Sequence, residues 1–180
     1  MINDYTVPKY FEDDYYKLIG DDARPPHRWV LIGSKWSGTT IHTDPLGTSA
    51  WNASLAGYKY WVLFPPGTDA KTVKGKHLMK KGEDNEAIQY FHLIYPRIIE
   101  SGNFEKTYEF IQRPGDTVFI PGGWWHAVLN LSDTIAVTQN YCNWGNFDRV
   151  FWETRKGRPK MCVRWLRQMK LKDPPLYKRA

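Results

Sequence analysis

The sequence has few of the features that mark secreted or membrane proteins. Its 180 residues include only two cysteines, Cys142 and Cys162, which are too few for a disulfide framework, so we expect a reducing compartment. It has no apolar run of about 18 residues and no signal-like start, which argues against a membrane span and a secretory address. It also lacks internal repeats and low-complexity tracts. These absences leave one globular domain with a substantial core as the simplest expectation.

Aromatic residues, by contrast, are abundant: they make up 16% of the chain and include nine Trp and eleven Tyr. Aromatic rings need enclosed apolar volume and favour strands, so we expect a well-packed β architecture. Turn markers such as "DPLG", "FPPGTD", "RPGD" and "PGG" separate short β-type runs, which is typical of a sandwich or jelly roll. The predicted strands cover residues 28–33, 39–44, 49–56, 59–64, 108–112, 117–120, 125–129 and 134–139. Short helices are predicted in "VPKYFEDDYYKLIG" and in "NEAIQYF".

The positive charge is concentrated near the C-terminal end. Residues 154–180 contain ten Lys or Arg and one acid, a charge of +9, whereas residues 1–153 carry −3. Within "RPKMCVRWLRQMKLK", apolar residues recur at helical spacing with basic residues opposite, which predicts a basic amphipathic helix. We therefore divide the chain into a jelly-roll domain, residues 1–153, and a basic helix and tail, residues 154–180.

The two sides of this predicted helix have different expected partners. Its apolar side would pack on the jelly roll or on the same helix of a second copy, which would give a homodimer. Its basic side would attract RNA, DNA or acidic protein segments.

Polar residues recur on one face of strand after strand. In "TTIHTDPLGTSAWN", alternation places His42 and Asp44 on one side of a strand, together with Thr40. This face is either solvent-exposed, as is usual for antiparallel sheets, or the lining of a polar cavity. Solvent faces are normally rich in Lys and Glu, so the composition of this face favours a cavity. The same alternation on other strands adds Asn52, Lys59, His126 and Thr138.

This set of side chains suits a metal and an organic acid. His42, Asp44 and His126 form the minimal facial triad of a non-haem Fe(II) centre, although Zn or Ni would also bind such ligands. Lys59 offers a cation for a distal carboxylate, and Asn52 and Thr138 offer hydrogen bonds. A dicarboxylate that chelates the metal at one end and meets Lys59 at the other would be 2-oxoglutarate. Three further histidines have no matching partners and are assigned no role: His27, His77 and His92.

Four stretches of the chain carry a family resemblance. They read "SGTTIHTDPLGTSAWNASLAGYKYWVLFP", "DNEAIQYFHLIYPR", "RPGDTVFIPGGWWHAVLNLSDTIAVTQN" and "KGRPKMCVRW". They resemble the Jumonji-C family of Fe(II) and 2-oxoglutarate dioxygenases, and most of all its subgroup of arginine demethylases and lysyl hydroxylases. The resemblance implies a mainly β double-stranded β-helix, a cupin-like jelly roll with peripheral helices. It also implies metal ligands at His42, Asp44 and His126, 2-oxoglutarate contacts at Asn52, Lys59 and Thr138, and positions near the active centre for Trp29 and Asn140.

The resemblance also implies a reaction and its setting. Conversion of 2-oxoglutarate and O2 to succinate would be coupled to hydroxylation of a protein side chain, with ascorbate as reductant. Lysyl 5-hydroxylation is favoured over arginine demethylation, on Lys/Arg-rich segments of splicing factors or histones. A chromatin regulator in the nucleus is therefore expected. The subgroup has a longer N-terminal portion that supplies a tyrosine to the cosubstrate pocket, and the printed chain begins after it, so we expect either a truncated chain or another residue in that place.

Two other functions are compatible with the same fold. One is a non-catalytic module that binds RNA or peptides through the basic tail, although such a module would have no need of the triad or of Lys59. The other is a small-molecule cupin oxygenase or isomerase, which the spacing of the triad does not separate from a protein hydroxylase.

Overall fold

Eight antiparallel strands form two four-stranded sheets in the computed structural model, which describes residues 5–180. One sheet has the strand order β1-β8-β3-β6 and the other β2-β7-β4-β5. The strands are β1 (Arg28–Gly33), β2 (Gly38–His42), β3 (Ser49–Ala56), β4 (Lys59–Phe64), β5 (Tyr108–Gln112), β6 (Thr117–Ile120), β7 (Trp125–Asn130) and β8 (Thr134–Tyr141). Consecutive strands alternate between the sheets except for β4 and β5, which pair with each other, so the fold is a double-stranded β-helix, and the prediction from the sequence is confirmed.

Apolar side chains from both sheets meet in the space between them. Ala50 of β3 and Ile120 of β6 pack with Trp61 of β4 and Val128 of β7. These residues alternate with outward-facing neighbours, as expected for strands with one buried face. The apolar cluster fills one part of the space between the sheets, and polar residues line the rest.

The segment between β4 and β5 covers the outer face of one sheet. It contains α1 (Ala70–Lys74), α2 (Ala87–Gln89), a π-helical segment (Tyr90–Ile94) and α3 (Tyr95–Ser101). The helix predicted in "NEAIQYF" is therefore present. The π-helical segment runs into Pro96, which has no N–H to donate to the carbonyl four residues earlier. Buried aromatic and aliphatic side chains of this segment, including Tyr90 and Ile94, pack with Val62 and Phe64 of β4.

Three helices follow β8: α4 (Phe147–Gly157), α5 (Pro159–Lys172) and α6 (Pro174–Arg179). The predicted basic amphipathic helix corresponds to α5. Its apolar stripe is buried against the chain itself, because Trp165 lies 4.6 Å from Tyr16 and 5.5 Å from Phe147 between ring centroids. The homodimer through this helix stays a prediction. The domain boundary predicted after residue 153 falls inside α4.

The opening segment forms two 3-10 turns, Lys9–Phe11 and Tyr15–Ile19, where one short helix was predicted. A buried ion pair fixes the second turn, with Arg24 Nη2 at 2.7 Å from Asp14 Oδ2. Arg24 also donates to the carbonyl of Asn140, at 2.9 Å, which ties this segment to the end of β8. Among residues 5–180, no helix has both the length and the apolar character needed to cross a membrane.

Candidate active site

Two strands and the turn after one of them bring three potential metal ligands together. His42 ends β2 and lies opposite His126 of β7 in the strand pairing, with ring centroids 4.2 Å apart. Asp44 follows two residues later, and its Oδ1 lies 3.9 Å from His126 Nε2. One ligand atom from each residue can be chosen so that all three lie within 4.8 Å of one another. This spacing suits three ligands on one face of a single ion.

The side chains of β2 do not follow the simple alternation assumed from the sequence. The β2–β7 pairing shifts register between Thr39 and His42, and β2 ends at His42. As a result, Thr39 lines the same cavity as His42, whereas Thr40 lines a neighbouring pocket. The expectation that Thr40 shares the face of His42 was therefore wrong. Asp44 lies beyond the strand, in extended backbone just before the turn Pro45–Gly47.

Backbone carbonyls orient both imidazoles. His42 Nδ1 lies 2.8 Å from the carbonyl oxygen of Thr40, and His126 Nδ1 lies 3.1 Å from that of Trp124. A carbonyl oxygen only accepts hydrogen bonds, so each Nδ1 carries a proton and each Nε2 is the nitrogen left to bind a metal. This is the arrangement that metal-binding histidines commonly have.

The electrostatic state of the ligands also fits a cation. Burial raises the pKa of Asp44, and the neighbouring His42 partly opposes that rise. Burial, with repulsion from His42 as the smaller cause, lowers the pKa of His126 to about 3, so its imidazole is neutral at pH 7. Asp44 Oδ2 is buried without a hydrogen-bond partner in the described part of the chain. A bound cation would compensate for this desolvated oxygen, so the three residues fit a metal ion.

The three ligands open into a cavity of about 580 Å³ between the two sheets. All the residues predicted to contact 2-oxoglutarate or to lie near the centre line this one cavity: Trp29, Asn52, Lys59, Thr138 and Asn140. They come from β1, β8 and β3, which are neighbours in one sheet, and from β4 in the facing sheet. The cavity volume is in the range typical of small-molecule sites.

Lys59 is buried in this cavity, with 4% of the residue exposed. Its Nζ donates to Asn130 Oδ1 at 2.8 Å and to Thr134 Oγ1 at 3.1 Å, and both acceptors are neutral. Burial lowers the pKa of Lys59. Within residues 5–180 no carboxylate lies within 4.0 Å of this ammonium. An ammonium has three donors, so one is left for an anionic ligand.

The other two predicted cosubstrate contacts are partly engaged by the protein. The Thr138 hydroxyl donates to the carbonyl of Trp51 at 2.8 Å, so its remaining capacity is as an acceptor. Asn52 Oδ1 accepts from Gln112 Nε2 at 3.2 Å, which leaves the amide nitrogen of Asn52 as a donor. In this arrangement Lys59 and Asn52, rather than Thr138, offer donors to a carboxylate.

Sequence reasoning missed the neighbours that hold the predicted residues in place. Nothing in the sequence indicated that Asn130 of β7 contacts Lys59. The pairing of β4 with β7 sets Lys59 directly opposite Asn130, and only this non-local register shows the contact. Trp61 is a second omission: its ring stacks on that of His126, with centroids 6.2 Å apart.

Comparisons with known proteins agree with this geometry. Residues 29–141 match the family described as "JmjC domain, hydroxylase". The chain is 47% identical over 179 residues to the "Bifunctional arginine demethylase and lysyl-hydroxylase psr-1" of Caenorhabditis elegans, covering 98% of this chain and 44% of that protein. It is 46% identical over 181 residues to the protein of the same name in Caenorhabditis briggsae, covering 99% and 45%. It is 35% identical over 149 residues to the "2-oxoglutarate and iron-dependent oxygenase JMJD4" of Gallus gallus, covering 82% and 34%. The chain thus spans less than half the length of these relatives.

Proposed function

Since this chain belongs to the JmjC domain family of hydroxylases, we propose that it is an Fe(II)- and 2-oxoglutarate-dependent oxygenase that hydroxylates protein side chains. The observation that carries the proposal is the convergence of His42, Asp44 and His126 within 4.8 Å in the cavity that holds the buried ammonium of Lys59. A metal ligand set and a fixed cation in one cavity match the two ends of a 2-oxo dicarboxylate.

The residues of the site would bind the metal and the cosubstrate separately. Nε2 of His42, Nε2 of His126 and a carboxylate oxygen of Asp44 would hold the metal. Lys59 would bind the distal carboxylate of 2-oxoglutarate and fix the direction of its 2-oxo acid end. Bound iron supplies the redox chemistry, in which 2-oxoglutarate, O2 and a C–H bond become succinate, CO2 and a C–OH group, with ascorbate keeping the iron reduced between turnovers.

We propose lysine side chains in Lys/Arg-rich protein segments as the preferred substrate, with methylated arginine as the alternative. The support is the names of the Caenorhabditis relatives, which combine both activities. Hydroxylation of an N-methyl carbon releases formaldehyde, so one oxidation would serve both outcomes. A nuclear location, a role in chromatin and the identity of the substrates as splicing factors or histones stay predictions.

Mass spectrometry separates these outcomes. Lys/Arg-rich peptides, with and without N-methylarginine, are incubated with the protein, Fe(II), ascorbate and 2-oxoglutarate. We expect a gain of one oxygen atom on lysine that requires 2-oxoglutarate, because hydroxylation inserts oxygen without removing carbon. Loss of a methyl mass with release of formaldehyde would instead assign arginine demethylation. Succinate formation that no peptide accelerates would contradict a protein substrate and favour a small-molecule oxygenase.

The C-terminal helices favour RNA as a second ligand of the same chain. Exposed basic residues lie along α5, and Trp152 of α4 is 52% exposed, with Lys156 Nζ 4.7 Å from its ring centroid. Lys156 and the exposed ring of Trp152 can combine a phosphate contact with base stacking, and the basic residues of α5 can add further phosphate contacts. The exposed basic residues of α5 are Lys160, Arg164, Arg167, Lys170 and Lys172.

Charge reversal tests this surface. The double substitution Arg167→Glu and Lys170→Glu is expected to weaken binding of single-stranded RNA and to reduce the slope of log affinity against log salt by about 1.4, since each lost phosphate contact removes about 0.7. The matched control reverses Lys80 and Lys81, which are exposed between α1 and α2, and should leave the slope unchanged. Unchanged RNA retention by the α5 variant would rule out this surface.

A further inference from the structure

We propose that Asn130 and Thr134 are positioning residues that hold the ammonium of Lys59 in place without neutralising it, so that its charge stays available to the distal carboxylate of the cosubstrate. This inference rests on the proposed use of 2-oxoglutarate. It deepens that proposal by explaining how a buried lysine is kept both ordered and able to bind an anion.

Two of the three N–H groups of the Lys59 ammonium donate to protein acceptors, which leaves one for a ligand. Asn130 Oδ1 and Thr134 Oγ1 accept two of its N–H groups, at 2.8 and 3.1 Å. Both oxygens belong to uncharged groups that are themselves buried. A carboxylate in either place would form an internal ion pair, and a ligand would then have to compete with it. Neutral acceptors orient the ammonium and leave its full positive charge for the ligand.

The orientation of the Asn130 amide is fixed from its other side. Asn130 Nδ2 donates to Ser37 Oγ at 3.0 Å, and Ser37 Oγ donates to the carbonyl of Ser34 at 2.6 Å. The Lys59 ammonium has only donors, so its partner on Asn130 must be the oxygen, and the amide nitrogen must face Ser37. Each bond in this chain therefore fixes the direction of the next.

Gly33 provides the space that this arrangement needs. A Cβ added at Gly33 would lie 2.3 Å from Asn130 Nδ2, closer than any real contact. The Gly33 carbonyl also accepts from Thr134 Oγ1 at 3.3 Å. Gly33→Ala would therefore displace the Asn130 amide without altering any functional group that touches Lys59. This gives an independent way to disturb the positioning.

The test compares two five-carbon 2-oxo acids in the Mn(II)-loaded full chain by titration calorimetry. 2-Oxoglutarate has the distal carboxylate that reaches Lys59, and 2-oxovalerate lacks it. We expect Asn130→Ala to weaken the binding of 2-oxoglutarate about tenfold, because it removes a hydrogen bond to a charged group. We expect Asn130→Asp to weaken it about 100-fold, because the new carboxylate would form a buried ion pair with Lys59. Gly33→Ala should also lower the affinity for 2-oxoglutarate. Affinity for 2-oxovalerate should stay within about twofold of the wild type in every variant.

Thr134→Val and Ser132→Ala complete the design. Thr134→Val removes an acceptor while keeping the shape of the side chain. It should also weaken the binding of 2-oxoglutarate and leave that of 2-oxovalerate unchanged. Ser132 lies between the two positioning residues, and its hydroxyl accepts from Tyr58 N rather than from Lys59, so Ser132→Ala should bind both acids normally. Equal weakening of both acids in the Asn130 variants would show a general structural role and overturn the inference, as would unchanged affinity for 2-oxoglutarate. A wild-type protein that does not prefer 2-oxoglutarate over 2-oxovalerate would overturn the proposed cosubstrate as well.

Discussion

Replacing Asp44 with alanine is expected to abolish metal binding and turnover of 2-oxoglutarate to succinate. Asp44 is the only carboxylate in the cluster, and the two imidazoles that remain are oriented by backbone carbonyls. Substituting a residue that only supports a metal ligand lowers metal affinity about 10- to 100-fold, so removing a ligand itself should lower it more than about 100-fold. Calorimetric titration with Mn(II) and a succinate assay would measure both effects.

The same substitution should not unfold the protein. The Asp44 side chain is 13% exposed, and its Oδ2 has no hydrogen-bond partner in the described chain, so in the metal-free fold the carboxylate is only partly compensated for its burial. We expect the metal-free Asp44→Ala protein to unfold at the same temperature as the wild type or higher, and to lose the increase that metal gives the wild type. Asp13→Ala, at an exposed carboxylate, is the matched control and should keep metal binding and turnover. Persistent succinate production by the Asp44 variant would refute the ligand assignment.

Local pattern was enough to predict most strands. The bounds of β1, β3, β4, β5 and β6 agree with the prediction, because alternating apolar residues bounded by Pro- and Gly-containing turns encode both ends of a strand within a few residues. The same patterns placed Asn52, Lys59, His126 and Thr138 in one cavity, since alternation fixes the side of the sheet on which each side chain lies.

The errors arose where pairing between distant strands overrides local alternation. A register shift in the β2–β7 pairing exchanges the expected places of Thr39 and Thr40, and nothing in "GTTIH" marks it. Asp44 reaches the cluster from beyond the end of β2, so its place was predicted correctly for a partly wrong reason. The partners of Lys59 belong to β7 and β8, and identifying them requires the register of β4 against β7.

The packing of the C-terminal helices was also beyond the reach of sequence pattern. Helical spacing in α5 showed an apolar stripe but left its partner open. The partner comes from the far end of the chain: Tyr16 lies against Trp165, and Trp165 Nε1 donates to the carbonyl of Tyr15 at 3.0 Å. Such contacts between the ends of a chain depend on how the whole jelly roll brings the ends together.

Lys59→Met is expected to separate cosubstrate binding from metal binding. Methionine keeps a flexible side chain of similar length and loses the charge that faces the cavity. We expect affinity for 2-oxoglutarate to fall by at least about 30-fold, since removing one partner of a buried charged pair typically costs 2–5 kcal/mol. Affinity for Mn(II) and for 2-oxovalerate should change little, because neither contacts the ammonium. Calorimetry with the three probes on one protein preparation measures all of these effects.

Lys71→Met in α1, at an exposed position, is the matched control and should bind 2-oxoglutarate normally. The Lys59 variant should remain folded, because loss of a buried charge, whose pKa burial already lowers, offsets the loss of its two hydrogen bonds. Weakened binding of 2-oxoglutarate therefore cannot be attributed to unfolding if 2-oxovalerate still binds. If the Lys59 variant bound 2-oxoglutarate as tightly as the wild type, the distal carboxylate would have to lie elsewhere, and the cavity would have to be assigned to a different acid.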